Sequence, residues 1–395
     1  MKKIRISEKT FFELLYLCYA IVVLNAMNSM FYNTFSSTVV IVFGMAALTI
    51  VVLSAVKKRK MNRLLKTGMG EIVVPFFIVT IISCLSAIAV HHTSNFSDVT
   101  MSFLRFIQVL SIFSVAYFMI AMVGKKSLDI LLWAACISYA SVILNWLQNC
   151  IASGSWDTTL LESHGLIESV GLLFIYFFLS KSYTSKQRWM RCIPCLVILL
   201  MGAKRVAWIG IAWSLIIYFL FHKFKERRNR IIRIIMLCYV ILAFVYLYLI
   251  KNNYFDQILS YFGIADNMRL SFWNYFKDAY QLSPFYLGRG IQYTDNIMIL
   301  SSTKYALRVT NNVGIHNDIL RTYIGWGCIP FLYYFYNLFV LNLKRIRKNF
   351  KNADVWLYFA IVGYAFVNYM VDYMITYMPF NICMFAIFLL INREG

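Results

Sequence analysis

His316, Asn317, Asp318 and Arg321 crowd into one octapeptide, Gly314-Ile315-His316-Asn317-Asp318-Ile319-Leu320-Arg321, which closes a long polar stretch that begins at Lys251. A histidine can move a proton near neutral pH, and a guanidinium holds anions in a fixed fork. Arg269 (in Arg269-Leu270-Ser271-Phe272-Trp273) and Arg289 (in Gly288-Arg289-Gly290) lie in the same stretch, and Lys204-Arg205 interrupt an apolar run upstream. The chemistry these residue types share is anion binding. The Gly-Arg-Gly triplet could bring backbone N–H groups and a guanidinium up to a phosphate, although such a triplet is more often just a turn. Taken as a helix entering a membrane, the segment after Ile315 puts His316, Leu320, Tyr323 and Gly327 on one face and Asn317 and Arg321 on the next. The N–H groups at its mouth would favour an anion. On its own, His316 reads first as an ordinary interfacial histidine and only second as a catalytic one.

The elements that must position these groups are membrane helices. The chain has 395 residues, 61% hydrophobic and 14% charged, with mean hydropathy +0.67. A soluble fold of this size cannot hide so much apolar surface, so the solvent is a bilayer. The net charge of +21 does not imply nucleic acid, because the cations gather in short clusters between apolar runs: Lys57 to Lys60, Lys125-Lys126, Lys181 to Arg191, Lys223 to Arg233, and Lys344 to Lys351. That is the placement of cytoplasmic loops. The cations left over, Arg105, Lys204, Arg205, Lys251, Arg269, Lys277, Arg289, Lys304, Arg308 and Arg321, are expected to face the outer side.

The expected fold class is all-α, a polytopic membrane protein of about twelve transmembrane helices with one large extracytoplasmic loop. The basic start Met1-Lys2-Lys3-Ile4-Arg5 precedes a first span at about 11–30 that is read as retained rather than cleaved. Spans follow at about 36–56, 71–90, 100–123, 130–151 and 164–180. The apolar run from Cys192 to Phe221 is too long for one crossing and reads as two short helices meeting near Lys204-Arg205 on the outer side. Spans at about 231–250, 320–341, 355–374 and 377–391 complete the set. This divides the chain into an N-terminal bundle (1–250), an outer loop (251–319) and three C-terminal helices (320–395).

Within the loop, Arg269 to Tyr280 reads as an amphipathic interfacial helix ended by Pro284, with Phe272, Trp273, Phe276 and Tyr280 on one face. The nine cysteines are scattered through apolar segments and read as packed thiols; Cys192-Ile193-Pro194-Cys195 has redox spacing but begins a span. No metal site is expected, since the five histidines, among them His91-His92, His164 and His222, show no ligand spacing. Asp318 reads as an ion-pair partner of Arg321. Arg105 with Gln108, Glu168 and Asp372 are candidates by the cost of burying them in a membrane, with pairing inside the bundle the plainer account.

Three features resemble the O-antigen ligase and polymerase superfamily of bacterial envelope polysaccharide enzymes: Arg205 after Gly202-Ala203-Lys204; Arg269 to Trp273 followed by Ser283-Pro284 and Leu287-Gly288-Arg289-Gly290; and His316-Asn317 with Leu320, Gly325 and Gly327. Lys204 stands where the family often has serine, and Trp326 where an acidic residue often precedes the last glycine. The resemblance implies a glycan donor on undecaprenyl diphosphate and transfer to a sugar hydroxyl on the outer face of the bacterial cytoplasmic (inner) membrane, by a metal-independent glycosyltransferase without cofactor. His316, Arg269 and Arg205 would be catalytic, with His316 either the general base or a hydrogen-bond partner of the acceptor. Arg289, Lys204, Asn317, Arg321 and Trp273 would bind substrate, and Trp273, Tyr280 and Tyr293 could stack on sugars.

The first reading is a polymerase that joins lipid-linked repeat units into a capsule, exopolysaccharide or O-antigen. Beside it stand a ligase that moves a finished glycan to another acceptor, and a transporter or flippase for the lipid-linked sugar. The partners implied are the lipid-linked oligosaccharide, membrane lipid, and the flippase and chain-length regulator of the same pathway; nucleic acid is not among them.

Overall fold

The computed structural model describes residues 7–25, 34–57, 63–91, 96–163, 165–224, 227–261, 269–307, 314–350 and 354–394. Residues 1–5, 26–30, Lys58 to Lys60, His92, His164, Lys225, Arg308 and Lys351, all of which carry expectations above, lie outside them. Among the described residues every regular element is helical. The chain opens with α1 (Glu8–Leu24), α2 (Thr34–Lys57), α3 (Arg63–Gly68) and α4 (Val74–His91), with a π-turn at Met69–Val73 joining the last two. Then come α5 (Phe96–Val123), α6 (Lys126–Ser153), α7 (Leu166–Leu179), α8 (Ser185–Gly202), α9 (Arg205–Lys223) and α10 (Arg228–Lys251). Short helices α11 (Tyr254–Tyr261), α12 (Arg269–Phe276), α13 (Tyr293–Ile299) and α14 (Ser301–Leu307) fill the polar stretch. The chain ends with α15 (Asp318–Trp326), α16 (Cys328–Tyr336), α17 (Asn342–Asn349), α18 (Val355–Val371) and α19 (Met378–Glu394).

Five helical runs are long and apolar enough to cross a membrane: Arg63–Ala89, Val99–Val123, Lys126–Ser153, Arg205–Lys223 and Asn229–Lys251. Val39–Ile50, Leu166–Leu179 and Val355–Val371 are shorter apolar helices. At 28 residues each, α5 and α6 run to about 42 Å, beyond the roughly 30 Å hydrocarbon core. They carry polar residues past it on at least one side.

The centre of the bundle is α7, α18 and α19, which are apolar around the whole circumference and correspondingly buried on every side. Around them α9 packs along α18, α8 along α7, and α5 along α19. Close approach is set by glycine: an added Cβ at Gly171 would stand 2.1 Å from the Tyr364 hydroxyl. That hydroxyl instead donates to the Glu168 carbonyl at 2.9 Å, so α7 and α18 are joined beside the residue that matters below.

Two expected helices are shorter than the sequence pattern suggests, each for a local reason. The span expected over 320–341 is broken at Gly327, whose φ of 83° and ψ of 175° belong to glycine alone. A break in a membrane helix leaves backbone groups unpaired unless other protein groups take them up. Here the loop 286–290 does so: Arg289 N donates to Ile324 O (2.8 Å), Gly290 N to Gly325 O (2.9 Å), and Cys328 N to Tyr286 O (2.8 Å). The contact is backbone on backbone, since a Cβ at Gly288 would lie 2.4 Å from Gly327 N, and one at Gly327 would lie 2.4 Å from the Leu287 carbonyl carbon. The second is the amphipathic helix, which ends at Phe276 and passes through one 3-10 turn, Lys277–Ala279, before Pro284 is reached. The four aromatics of the expected apolar face, Phe272, Trp273, Phe276 and Tyr280, are all buried, and Tyr275 is exposed.

Candidate functional site

Gly202 ends α8, and Ala203 takes the left-handed conformation (φ 45°) that turns the chain into α9. A non-glycine residue pays sterically for that conformation and keeps it only where the surroundings impose it. The turn sends Lys204 inward, with its side chain only 2% exposed, and Arg205 outward. The Lys204 ammonium lies between two carboxylates: Nζ is 2.6 Å from Asp372 Oδ2, and it also pairs with Glu168 Oε1. Glu168 and Asp372 are 0% and 1% exposed. A buried ion is tolerable only with such partners.

Asp372 holds His316 through its other oxygen, with Nδ1 3.1 Å from Oδ1. The Asp372 carbonyl also accepts from Asp318 N at 3.1 Å, and Asp372 Oδ1 takes Tyr373 N at 2.9 Å. Glu168, at the far end, is fixed by Gly165 N, which donates to Oε2 at 2.7 Å. A chain of contacts thus runs Glu168, Lys204, Asp372, His316 from the bundle interior to an imidazole whose side chain is 26% exposed. Nδ1 faces a carboxylate, and Nε2 is the ring nitrogen on the side away from Asp372.

His316 lies outside the helix that its spacing suggested. It has φ 46°, and α15 starts only at Asp318, because Asn317 is the N-cap: its Oδ1 accepts from Leu320 N at 2.9 Å. The expected helical face of His316, Leu320, Tyr323 and Gly327 is therefore replaced by a left-handed turn capped by Asn317. The other end of that side chain, Nδ2, is buried with no hydrogen-bond partner among the described residues.

Asp318 and Arg321 form the expected pair, Nη1 to Oδ1 at 3.4 Å, within a larger cluster. Arg321 Nη2 meets Asp295 Oδ2 at 3.0 Å, Nη1 meets Thr376 Oγ1 at 3.2 Å, and the guanidinium lies 3.8 Å from the Tyr373 ring centroid. Tyr373 also donates to Asp295 Oδ2 at 2.9 Å. Asp318 Oδ2 accepts from Met374 N and from Ile375 N, the latter at 2.6 Å. Arg321, 3% exposed, is thereby committed to holding the 372–376 turn that carries Asp372. Its described contacts, where a substrate ligand was expected, are those of a brace within the protein.

The other arginines differ in how far the protein occupies them. Arg289 Nε donates to Ala279 O at 2.6 Å, and Nη1 reaches Tyr293 Oη at 3.4 Å, so half its fork is taken. Two N–H groups of the Gly-Arg-Gly turn, those of Arg289 and Gly290, are spent on α15 and are not open to a phosphate. Arg205 is exposed and Arg269 half-buried, and no carboxylate among the described residues pairs with either. Lys204, expected to bind substrate, is enclosed by its two carboxylates. Trp273 is 4% exposed and donates from Nε1 to Ile315 O at 3.0 Å; Tyr280 is 1% exposed and donates to Leu247 O at 2.7 Å. Neither ring offers a face to a sugar. Tyr293 is half-buried.

Asp295 went unnoticed in the sequence, whereas Glu168 and Asp372 carried the signal of a lone acid in an apolar run. Among the described residues no group of three His, Cys, Asp or Glu side chains is arranged to hold a metal, and all nine cysteines are free thiols. A comparison with curated proteins finds no match. The apolar helices and the family relationship together indicate a multi-pass membrane protein. Residues 191–335, a stretch that holds Lys204, Arg205, Arg269, Arg289, His316 and Arg321 but stops short of Asp372, match the family model described as O-antigen ligase, and this match supports the chain's resemblance to the O-antigen ligase/polymerase superfamily.

Proposed function

We propose that the protein is a polymerase joining undecaprenyl-diphosphate-linked oligosaccharide repeat units into an exported polysaccharide on the outer face of the bacterial inner membrane. The observation that carries this reading is His316 held through Nδ1 by a buried Asp372 that is backed by Lys204, the residue before the outward-turned Arg205.

In the proposed reaction, the hydroxyl of the acceptor sugar donates its proton to His316 Nε2 as its oxygen attacks C1 of the donor glycan. The C1–O bond to the diphosphate breaks, and the lipid diphosphate leaves with the electron pair. Asp372 stabilises the imidazolium that forms, and the proton passes from His316 to water once the products part. Arg205 and Arg269, which no described carboxylate engages, meet the growing charge on the diphosphate; Arg289 offers the remaining half of its fork. Attack opposite the leaving group inverts the anomeric centre. The lone Nδ2 donor of Asn317 orients the acceptor through a bridging water. No step in this scheme calls for a metal.

About twelve crossings with both termini inside would place Arg205, Arg269 and His316 together on the outer side, where the lipid-linked repeat units are delivered. The test is a gel of carrier-linked glycans from a deletion strain. Single repeat units on the carrier support the polymerase; full-length polymer held on the carrier means that the protein is a ligase instead.

A further inference from the structure

α10 and α16 line an apolar groove of 610 Å³, a volume in the range of small-ligand sites. Met236, Leu237 and Val240 line it from α10, Ile329 and Leu332 line it from α16, and Arg233 is the residue nearest the start of α10. Arg233, Met236, Leu237 and Val240 are spaced as one stripe of a helix, so the guanidinium caps the lower end of a continuous apolar track. A second guanidinium stands at the same place. Asn229, one turn earlier, accepts from Arg233 Nε through its carbonyl (3.4 Å) and from Arg347 Nη1 through Oδ1 (2.9 Å). Arg347 is also 5.4 Å from the Trp356 ring centroid. No described carboxylate pairs with Arg233.

We infer that this groove holds an anionic glycerophospholipid of the leaflet opposite the candidate catalytic site, with one acyl chain along the stripe and its phosphate on Arg233 and Arg347. Two cations at the mouth of an apolar track match an anionic headgroup above an acyl chain, and the cytoplasmic leaflet is the anionic one. The lipid-linked glycan is a poorer fit. Arg233 and Lys251 belong to one helix and lie about 27 Å apart along it, and Lys251 Nζ binds Lys277 O (3.0 Å) and Tyr280 O (2.8 Å). That far end of α10 is therefore tied to the segment bearing Arg269. A lipid whose diphosphate is at Arg269 cannot also rest its phosphate on Arg233.

Native mass spectrometry of the purified full chain tests this, with titration of phosphatidylglycerol, phosphatidylcholine of the same acyl chains, and undecaprenyl phosphate. Phosphatidylglycerol should bind about tenfold or more tighter than phosphatidylcholine, each guanidinium contributing about fivefold. Arg233→Gln and Arg347→Gln should each remove about fivefold of the phosphatidylglycerol affinity and leave phosphatidylcholine unchanged, and Leu237→Trp should weaken both lipids by filling the groove. Equal binding of the two phospholipids would overturn the inference. So would an Arg233→Gln protein with unchanged affinity, Arg233-dependent binding of undecaprenyl phosphate in preference to phosphatidylglycerol, or a dimer that Leu237→Trp disperses. Should Leu237→Trp fail to insert, the two glutamine variants decide alone, since Arg233 is on the exposed surface.

Discussion

The indole of Trp273 donates to the carbonyl of Ile315 at 3.0 Å, so the helix bearing Arg269 is fastened to the residue immediately before His316. The bond is buried, and its ring packs edge-on against Tyr246 and Phe255. Tyr246 in turn donates to Met370 O at 2.8 Å, two residues from Asp372. One aromatic cluster thus sets the spacing between the guanidinium expected to hold a leaving group and the imidazole expected to take a proton.

Trp273→Phe keeps most of the packing and leaves the Ile315 carbonyl unpaired, a loss of about 1–3 kcal/mol. Long-chain polysaccharide should fall several-fold while the amount of inserted protein, measured by immunoblot of membranes, changes little. If Trp273 instead stacked on substrate, the affinity for lipid-linked donor would fall and the His316 turn would stay as it is; a KM against kcat comparison with purified donor separates the two.

The arginines should sort by how fully the protein already uses them. Arg205→Ala and Arg269→Ala are expected to abolish long-chain product with the protein still inserted. Arg289→Ala should reduce it in part, because Ala279 O and Tyr293 already occupy that fork. Arg321→Ala should lower the amount of folded protein, since it strands Asp295 and Asp318 without a cation, a loss of about 3–5 kcal/mol for a buried pair. Membrane immunoblots beside polysaccharide gels read both effects; normal chain lengths from the Arg269→Ala strain would remove Arg269 from the site.

Lys204→Met leaves Glu168 and Asp372 buried without their cation and should destabilise by a similar amount. Neutralising the deeper acid as well, in the double variant Lys204→Met with Glu168→Gln, removes one of the two uncompensated charges and should recover part of the lost thermal stability, read by a melting assay in detergent. Activity should not recover with it, because Asp372 would still lack the ammonium that fixes the carboxylate toward His316.

The helical character of the chain was legible because hydrophobic run length is a direct statement about membrane helices, and the break at Lys204-Arg205 showed as the sole polar interruption in a long apolar run. The His316 turn was not. Helical spacing placed His316 beside Leu320, but spacing assumes a helix, and here Asn317 caps one that has yet to begin. The roles within the cation set were equally hidden. Lys204 and Arg205 are neighbours of like charge, and only the left-handed Ala203 decides which one is buried. Partners such as Asp372 for His316, or Asp295 for Arg321, join residues far apart in sequence, and a lone acid in an apolar run announces that it needs a partner without saying which.

The glycines of the 286–290 loop make a prediction independent of chemistry. Gly288→Ala would place a methyl 2.4 Å from Gly327 N, against backbone on both sides and at φ 81°. The loop must lift from α15, and with it go the hydrogen bonds from Arg289 N and Gly290 N that satisfy the end of a broken membrane helix. Folded protein should drop sharply. Gly314→Ala, where an added Cβ meets nothing within 4 Å, is the matched control and should leave yield and product unchanged.

Asp372→Asn isolates the part of the site that acts on the proton. The substitution is close to isosteric, and Lys204 keeps Glu168 as its counter-ion, so the bundle should still assemble and bind lipid-linked donor. What changes is the group facing His316 Nδ1. An amide can present either its oxygen or its nitrogen there, and it carries no charge to stabilise an imidazolium, so the proton acceptor is weakened in both orientation and electrostatics. General-base assistance is worth about a hundredfold to ten-thousandfold. The transfer rate measured with purified lipid-linked donor and acceptor should therefore fall at least about a hundredfold at saturating substrate, with little change in donor binding. His316→Ala should fall to a similar level, and the double variant no further, because the two residues act as one unit. A double variant whose loss is the product of the two single losses would show that Asp372 and His316 work independently, and the proton-transfer role assigned to the pair would be lost.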